Sequence, residues 1–375
     1  MPFLQANLVE EDGRVSGAEI RNEGNFQVLS QLTQGTRAFL RKDLSRQRRH
    51  APTLACLDSE DLASLPVTIE KCRPDFALFE GVALLDAMRE VRRAFPRLPI
   101  IVDFHNVEST LHRKLRLSRY PRWSQPIADM LLSRRFRAAE EADREAARLA
   151  DAVWACSAQD ADLVRRAGIS MAVDVIPNPI PDWCRTAAPD KTPRTDETVL
   201  FVGHLGYAPN RRAIAELVTS IMPELRRRFP DAVLHVGGRE PRPKLVRLLG
   251  DAGHRLTANP PDLAPLYRGA QATAIPLRDG GGTRIKVLEA LAVGCPVVAT
   301  AKAVEGLALE DGRHFIRAET APEFVAALSR LFQDPKLGLA LSTEGRDFVH
   351  RTHGDAARAD AVRKALATIA VPGRA

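Results

Sequence analysis

The segment PLRDGGGTRIKVLEALAVGCPVVAT, from Pro276 to Thr300, holds the residues best suited to chemistry. An apolar run ends there, the glycines Gly280, Gly281 and Gly282 follow, and a helix is predicted to start at or near Thr283. Thr283 is a natural N-cap. Glycines let the backbone come close to a ligand. A helix N-terminus adds free N–H groups and partial positive charge, which favours a bound phosphate. Lys286 and Glu289 are three residues apart and share a helix face, with Gly282 one turn before Lys286. Glu289 lies among Ile285, Val287, Leu288, Ala290 and Leu291. A carboxylate in such a run is costly without a partner, and ligand hydroxyls are one such partner. The plainer reading of the same residues is a helix start with a solvated Lys–Glu pair, because short glycine motifs recur by chance.

Positioning these groups requires a sheet. Strand candidates in the first half are Phe3–Val9, Thr53–Leu57, Phe76–Phe79, Ile100–Phe104, Ala152–Ala155 and Val173–Ile176. Helical stretches separate most of them, including Ala83–Phe95 and a long Trp123–Ala150. The proline-rich IPNPIPDW, Ile176 to Trp183, stops this rhythm. It restarts with strands at Val199–Val202, Val233–Val236, Arg255–Thr257, Thr273–Pro276, Pro296–Ala299 and His314–Ile316. Helices are predicted over Asn210–Phe229, Lys244–Asp251, Leu263–Ala270, Arg284–Val293 and Pro322–Phe332, then from Pro335 to about Ile369. Alternation of this kind predicts an α/β protein with two doubly wound Rossmann-like domains. The predicted boundaries are 1–180, a linker at 181–197, 198–353, and a C-terminal helix at 354–375 crossing back to the first domain. Ligands bind beyond the carboxyl ends of such strands.

The Pro276–Thr300 segment resembles the donor-binding segment of retaining glycosyltransferases of family 4. That family carries E-G-F-G-x-x-x-x-E, and its second Glu matches Glu289. Where the first belongs this chain has Gly281. The form G-G-G-T-R-I-K-x-L-E-A is that of a subgroup linked to bacterial exopolysaccharide synthesis. The resemblance implies a GT-B fold with two domains facing across a cleft. It implies that Glu289 contacts the ribose of a nucleotide-sugar, and that Arg284 and Lys286 serve its diphosphate beside Gly281, Gly282 and Thr283. LFVGHLGYAPNRRAI resembles the loop where V-G-R-L-x-x-x-K-G puts Arg and Lys on the diphosphate. Here Gly203 is kept, His204 stands for the Arg, and Pro209 or Asn210 stands for the Lys. VLHVGG, ending in Gly238, resembles the loop near the base, and PDLAPLYRGAQATAIPL the stretch before the Glu helix. In the first half, the loop with Ser16 and Gly17 falls where the family has a glycine pair near the acceptor, with Ala18 in place of the second glycine, and His105 matches a histidine that faces the transferred sugar.

The reaction implied is sugar transfer, with retained configuration, from a nucleotide-sugar to a hydroxyl on a lipid-linked or polysaccharide precursor. No cofactor or metal is expected. Two alternatives stay open: a sugar-nucleotide 2-epimerase of the same fold, and a degenerate nucleotide-binding protein without activity. The 375 residues carry a net charge of +7, which suits an anionic ligand or surface. The excess is concentrated in Thr36–His50, with six Lys/Arg against one Asp, and in Leu111–Arg137, with eight against one. The second stretch interleaves Tyr120, Trp123 and Phe136. It reads either as a patch for an anionic membrane or as a solvated basic helix. No motif for nucleic acid is present. Five scattered cysteines suit a reducing compartment, and the N-terminus lacks signal-peptide character. These features predict a cytoplasmic protein, peripheral at most on the inner face of the membrane.

Overall fold

Short runs rich in Val, Ile and Phe form two six-stranded parallel sheets. The structure is a computed structural model that describes residues 1–9, 16–43, 45, 56–118, 120–169, 171–185, 197–281 and 284–369. The first sheet contains β1 (Phe3–Leu8), β2 (Gly35–Leu40), β3 (Phe76–Glu80), β4 (Ile100–Phe104), β5 (Ala152–Ala155) and β6 (Val173–Val175), in the order β2-β1-β3-β4-β5-β6. Every residue of β3 and β4 is buried, because helices cover both faces of a parallel sheet. One face packs Leu4, Phe79, Val102 and Met88, and the other packs Phe3, Phe76, Ile101 and Trp154. The order reverses between β1 and β3, where a doubly wound sheet opens a crevice. Register pairs Glu80 with Asp103 at the carboxyl ends of β3 and β4.

The second sheet contains β7 (Thr198–Val202), β8 (Val233–Gly238), β9 (Arg255–Ala258), β10 (Ala272–Ile275), β11 (Val297–Ala299) and β12 (Ile316–Arg317), in the order β12-β11-β10-β7-β8-β9. Its reversal lies between β7 and β10. The loops that follow β7, β8 and β10 therefore meet at the end of the sheet where ligands bind.

The chain divides into two units. The first holds Met1–Pro179 and the stretch from Asp355, together with Gly281. The second holds Ile180–Gly280 and Arg284–Gly354. The helix Asp355–Ala367 supplies Ala359, Val362 and Ala365 to the Phe3–Trp154 cluster of the first unit. Residues 182–185, within the stretch expected as linker, form a short helix of the second unit, with Cys184 buried.

Several elements depart from the sequence expectation. β2 overlaps the start of the basic stretch Thr36–His50, where no strand is predicted. It is an edge strand with a half-open pattern, and Phe39 on it is exposed. Of the expected strand Thr53–Leu57, residues 53–55 lie outside the described residues, and Leu57 forms an isolated antiparallel bridge with Lys42. The helix expected over Trp123–Ala150 is divided into Gln125–Leu131 and Ser133–Leu149 at Leu132, whose φ of −93° and ψ of 2° leave the helical region. The helix expected over Asn210–Phe229 runs from Ala208 to Arg226 and widens to a π-turn at Leu217–Ile221. Pro223 explains this, because its ring has no N–H and would clash with the carbonyl four residues back in a regular helix. Among the described residues, no helix is long and apolar enough to cross a membrane.

Candidate functional site

In the second unit the loops after β7 and β8 touch backbone to backbone. Gly203 N–H donates to Gly237 O at 3.1 Å, and Leu205 N–H to Arg239 O at 2.8 Å. Gly238 has φ of +152°, and a Cβ there would lie 1.8 Å from Gly203 O. Only glycine fits such an approach. Asn210, near the start of the Ala208–Glu216 helix, is buried and donates from Nδ2 to His204 O at 2.8 Å. Its Oδ1 accepts from Lys286 Nζ at 2.5 Å. Lys286 Nζ also lies 4.8 Å from the Phe201 ring centroid. A Cβ at Gly203 would sit 2.9 Å from Asn210 Nδ2 and 3.0 Å from that ammonium, so the missing side chain is what lets the Asn210–Lys286 pair lie against the backbone here. Burial pulls the Lys286 ammonium down to about 7.

Glu289 follows one turn later on the Ile285–Ala292 helix and is buried. Burial pushes its carboxyl up to about 7, although the Tyr267 hydroxyl donates to Oε2 at 3.0 Å and opposes the shift. Tyr267 in turn stacks on Trp183 with ring centroids 5.8 Å apart. The partner that the apolar surroundings of Glu289 demand is thus in part a tyrosine.

Arg284 takes the cap position with φ of +54°, and the first helical residue is Ile285. This moves the cap from the expected Thr283 by one residue. Gly282 and Thr283 lie outside the described residues. Arg284 Nη2 donates to Glu305 Oε2 at 2.7 Å, and Lys302 pairs with the same carboxylate. Arg284 Nε is buried without a hydrogen-bond partner. His204 Nε2 lies 3.0 Å from Glu240 Oε2. The structure therefore brings Gly203, Asn210, Lys286 and Gly238 together, with Glu289 one turn from Lys286 and Arg284 turned to Glu305.

In the first unit His105 follows β4. Its Nε2 shares a hydrogen bond with Glu80 Oε2 at 3.1 Å and lies 3.5 Å from Asp103 Oδ2. Asp103 is gripped by Arg21 through two bonds of 2.7 Å, and Arg21 Nη1 reaches Ile176 O and Asn178 Oδ1. Gln5 Nε2 donates to Glu80 Oε1 at 2.6 Å, and Asn25 Nδ2 bridges Glu80 and Asp103. Burial would lower the His105 imidazolium, but the Glu80 hydrogen bond and the Asp103 charge outweigh it and raise it. Burial raises Glu80, whereas at Asp103 the Arg21 guanidinium overcomes burial and holds the carboxyl at about 2. Glu80, Asp103 and His105 hold ligand atoms within 4.8 Å of one another, as a metal site would need. Yet Arg21 occupies both Asp103 oxygens, and a cation there would have to displace it. The donor set suits a hydrogen-bond cluster that retains a proton.

Ser16 caps the Gly17–Ser30 helix in a capping box with Glu19. Residues 10–15 of the expected acceptor-side loop lie outside the described residues. Gly281 groups with the first unit, where a Cβ would meet Leu111 Cδ1 at 2.5 Å. Sequence reading missed Arg21 and Glu80, and took Tyr267 only as part of a pattern. The available signal for Glu80 was a lone carboxylate closing the apolar strand FALFE.

Residues 196–334 match the family model described as glycosyl transferases group 1. No curated protein matches the chain by sequence. Among solved structures, the chain is similar to sucrose-phosphate synthase from Thermosynechococcus elongatus, with a TM-score of 0.69, 16% identity, and 98% of this chain and 100% of that one covered. It is similar to Anabaena HepE, solved with UDP and glucose, with a TM-score of 0.67, 14% identity, and 98% and 99% covered. It is also similar to S. aureus TarM, solved with UDP, with a TM-score of 0.62, 11% identity, and 81% and 58% covered. The chain thus spans 58% of the length of TarM. At these identities the likeness is one of fold: α/β, GT-B, two doubly wound Rossmann-like units.

Proposed function

We propose that this chain is a retaining glycosyltransferase that moves a hexose from a nucleoside-diphosphate sugar to a hydroxyl acceptor. One observation carries the reading. A partly buried ammonium, Lys286, lies against Gly203 within a segment that matches the group 1 model, and a buried carboxylate, Glu289, lies one turn on. A cation held at reduced pKa gains most from an anion that enters its dry surroundings. Lys286 neutralises the charge that develops on the departing diphosphate. The loops at Gly203 and Gly238 let the ligand approach the backbone. Glu289 accepts a hydrogen bond from a ribose hydroxyl, and Tyr267 fixes its orientation. Arg284 joins the diphosphate by exchanging Glu305 for phosphate oxygen, a change of partner its guanidinium fork permits. The positive charge comes from side chains, and the reaction as proposed needs no metal. In the first unit, His105 takes the role at the transferred sugar that the family resemblance implies, with Glu80 holding its imidazole. Family 4 membership, a lipid-linked or polysaccharide acceptor, and action at the cytoplasmic face complete the reading.

The test is a thermal-shift screen with UDP-, GDP-, ADP- and TDP-sugars, followed by product analysis. One donor class should raise the melting temperature and be consumed. Lys286→Ala and Glu289→Ala should each weaken binding by about tenfold or more. Normal binding and turnover by both variants would overturn the site assignment. Epimerised donor without acceptor would make the protein an isomerase, and retained donor without turnover a binding protein.

A further inference from the structure

The first unit carries an apolar surface that its own core does not use. Trp123 is 80% exposed, Leu131 74%, Met130 68% and Ile127 54%, and Tyr120 is also exposed. Spacing of four, three and one along the turn Arg122–Ser124 and the helix Gln125–Leu131 sets the first four on one face. Large apolar side chains clustered in water usually mark a contact surface. Its flanks are basic: Leu111–Arg137 holds eight Lys/Arg and one acid, Asp129. Arg113 neutralises that acid through a two-pronged ion pair. Lys114, Arg134 and Arg137 are exposed on the adjoining helices Glu108–Leu117 and Ser133–Leu149.

We propose that this face docks on an anionic lipid bilayer, with Trp123, Ile127, Met130 and Leu131 entering the headgroup boundary and the basic side chains meeting lipid phosphates. Charge decides the occupant. A second copy paired through the same face would bring eight more Lys/Arg against one more Asp, so like charge opposes it. An anionic membrane complements both the apolar and the basic residues. The surface is independent of the Lys286 site, so either reading can fail alone.

The test is co-sedimentation of the full chain with phosphatidylcholine vesicles, with and without phosphatidylglycerol. Binding should appear with the anionic lipid and weaken as salt rises. Arg134→Glu combined with Arg137→Glu should lower partitioning by about tenfold or more. Trp123→Ser combined with Leu131→Ser should also reduce it, with the melting temperature and the nucleotide-sugar thermal shift unchanged because these residues are exposed. Absence of binding, or equal binding to neutral and anionic vesicles, overturns the proposal. So does a vesicle-free dimer that the Trp123/Leu131 variant abolishes, which would make a second copy the occupant.

Discussion

In the free protein Lys286 sits at about 7 instead of its ordinary 10.5 because its partly buried surroundings desolvate the ammonium. Its folded value lies below its unfolded one, so between the two the unfolded chain binds more protons. Stability from this group therefore rises with pH across that window, and Lys286→Met should remove that slope. A diphosphate reverses the local balance and raises the ammonium again. Binding of a nucleotide-sugar should then take up a proton near and above pH 7, and affinity should fall as pH rises past about 7. Calorimetry in two buffers of different ionisation enthalpy measures this directly. Glu289→Gln should retain the uptake and Lys286→Met should abolish it; uptake that survives in the Met variant would assign the proton elsewhere. The Lys286–Glu289 relation was readable, since three residues along a helix fix a shared face. Asn210 and Tyr267 as their partners were not, because those bonds span 76 and 22 positions and depend on which strands adjoin.

The strand ends of the first sheet gather charge that no single segment reveals. β3 contributes Glu80, β4 contributes Asp103, and the Gly17–Ser30 helix lays Arg21 across them, fully buried. Removing one member of such a pair strands the other in the interior, which typically costs about 3–5 kcal/mol. Arg21→Met should lower unfolding free energy by that order in urea titration, and Arg21→Met with Asp103→Leu should recover part of it. An Arg21→Met protein as stable as wild type would show that the pair is solvated. Asp103 is depressed to about 2 from an ordinary 3.8, so its contribution is complete above the unfolded value and is lost as pH falls through about 2. Most strands and their alternation with helices were legible, because apolar runs bounded by turn residues mark buried strands from local sequence alone. The failures have local causes. β2 is an edge strand whose Arg37 and exposed Phe39 mask its periodicity, and Pro223 interrupts a stretch whose apolar spacing otherwise reads as one continuous helix.

At the scale of the whole chain, the first unit is closed by residues that come last in the sequence. Arg358 is buried, donates to Asn25 Oδ1 at 2.9 Å and to Pro177 O, and is drawn down to about 9 by burial and then by the Arg21 charge. Val362 and Ala365, on the same helix, are fully buried in the cluster that includes Trp154 and Phe76. Truncation after Gly354 would uncover that cluster and leave the Asn25 oxygen without its donor. With one buried Val, two buried Ala and the Arg358 stem removed, the first unit should lose about 3 kcal/mol or more. The second unit carries its own sheet and should hold. Hydrogen exchange read by mass spectrometry separates the two outcomes. Peptides from β1, β3 and the Gly17–Ser30 helix should lose protection in the truncated chain, while peptides from β7, β10 and the Ile285–Ala292 helix should match wild type. Arg358→Met, which keeps the helix and its apolar contacts, should show a smaller loss centred on Asn25. Equal loss across both units would mean that they unfold as one, and no loss would mean that the Phe3–Trp154 cluster stands without its final helix.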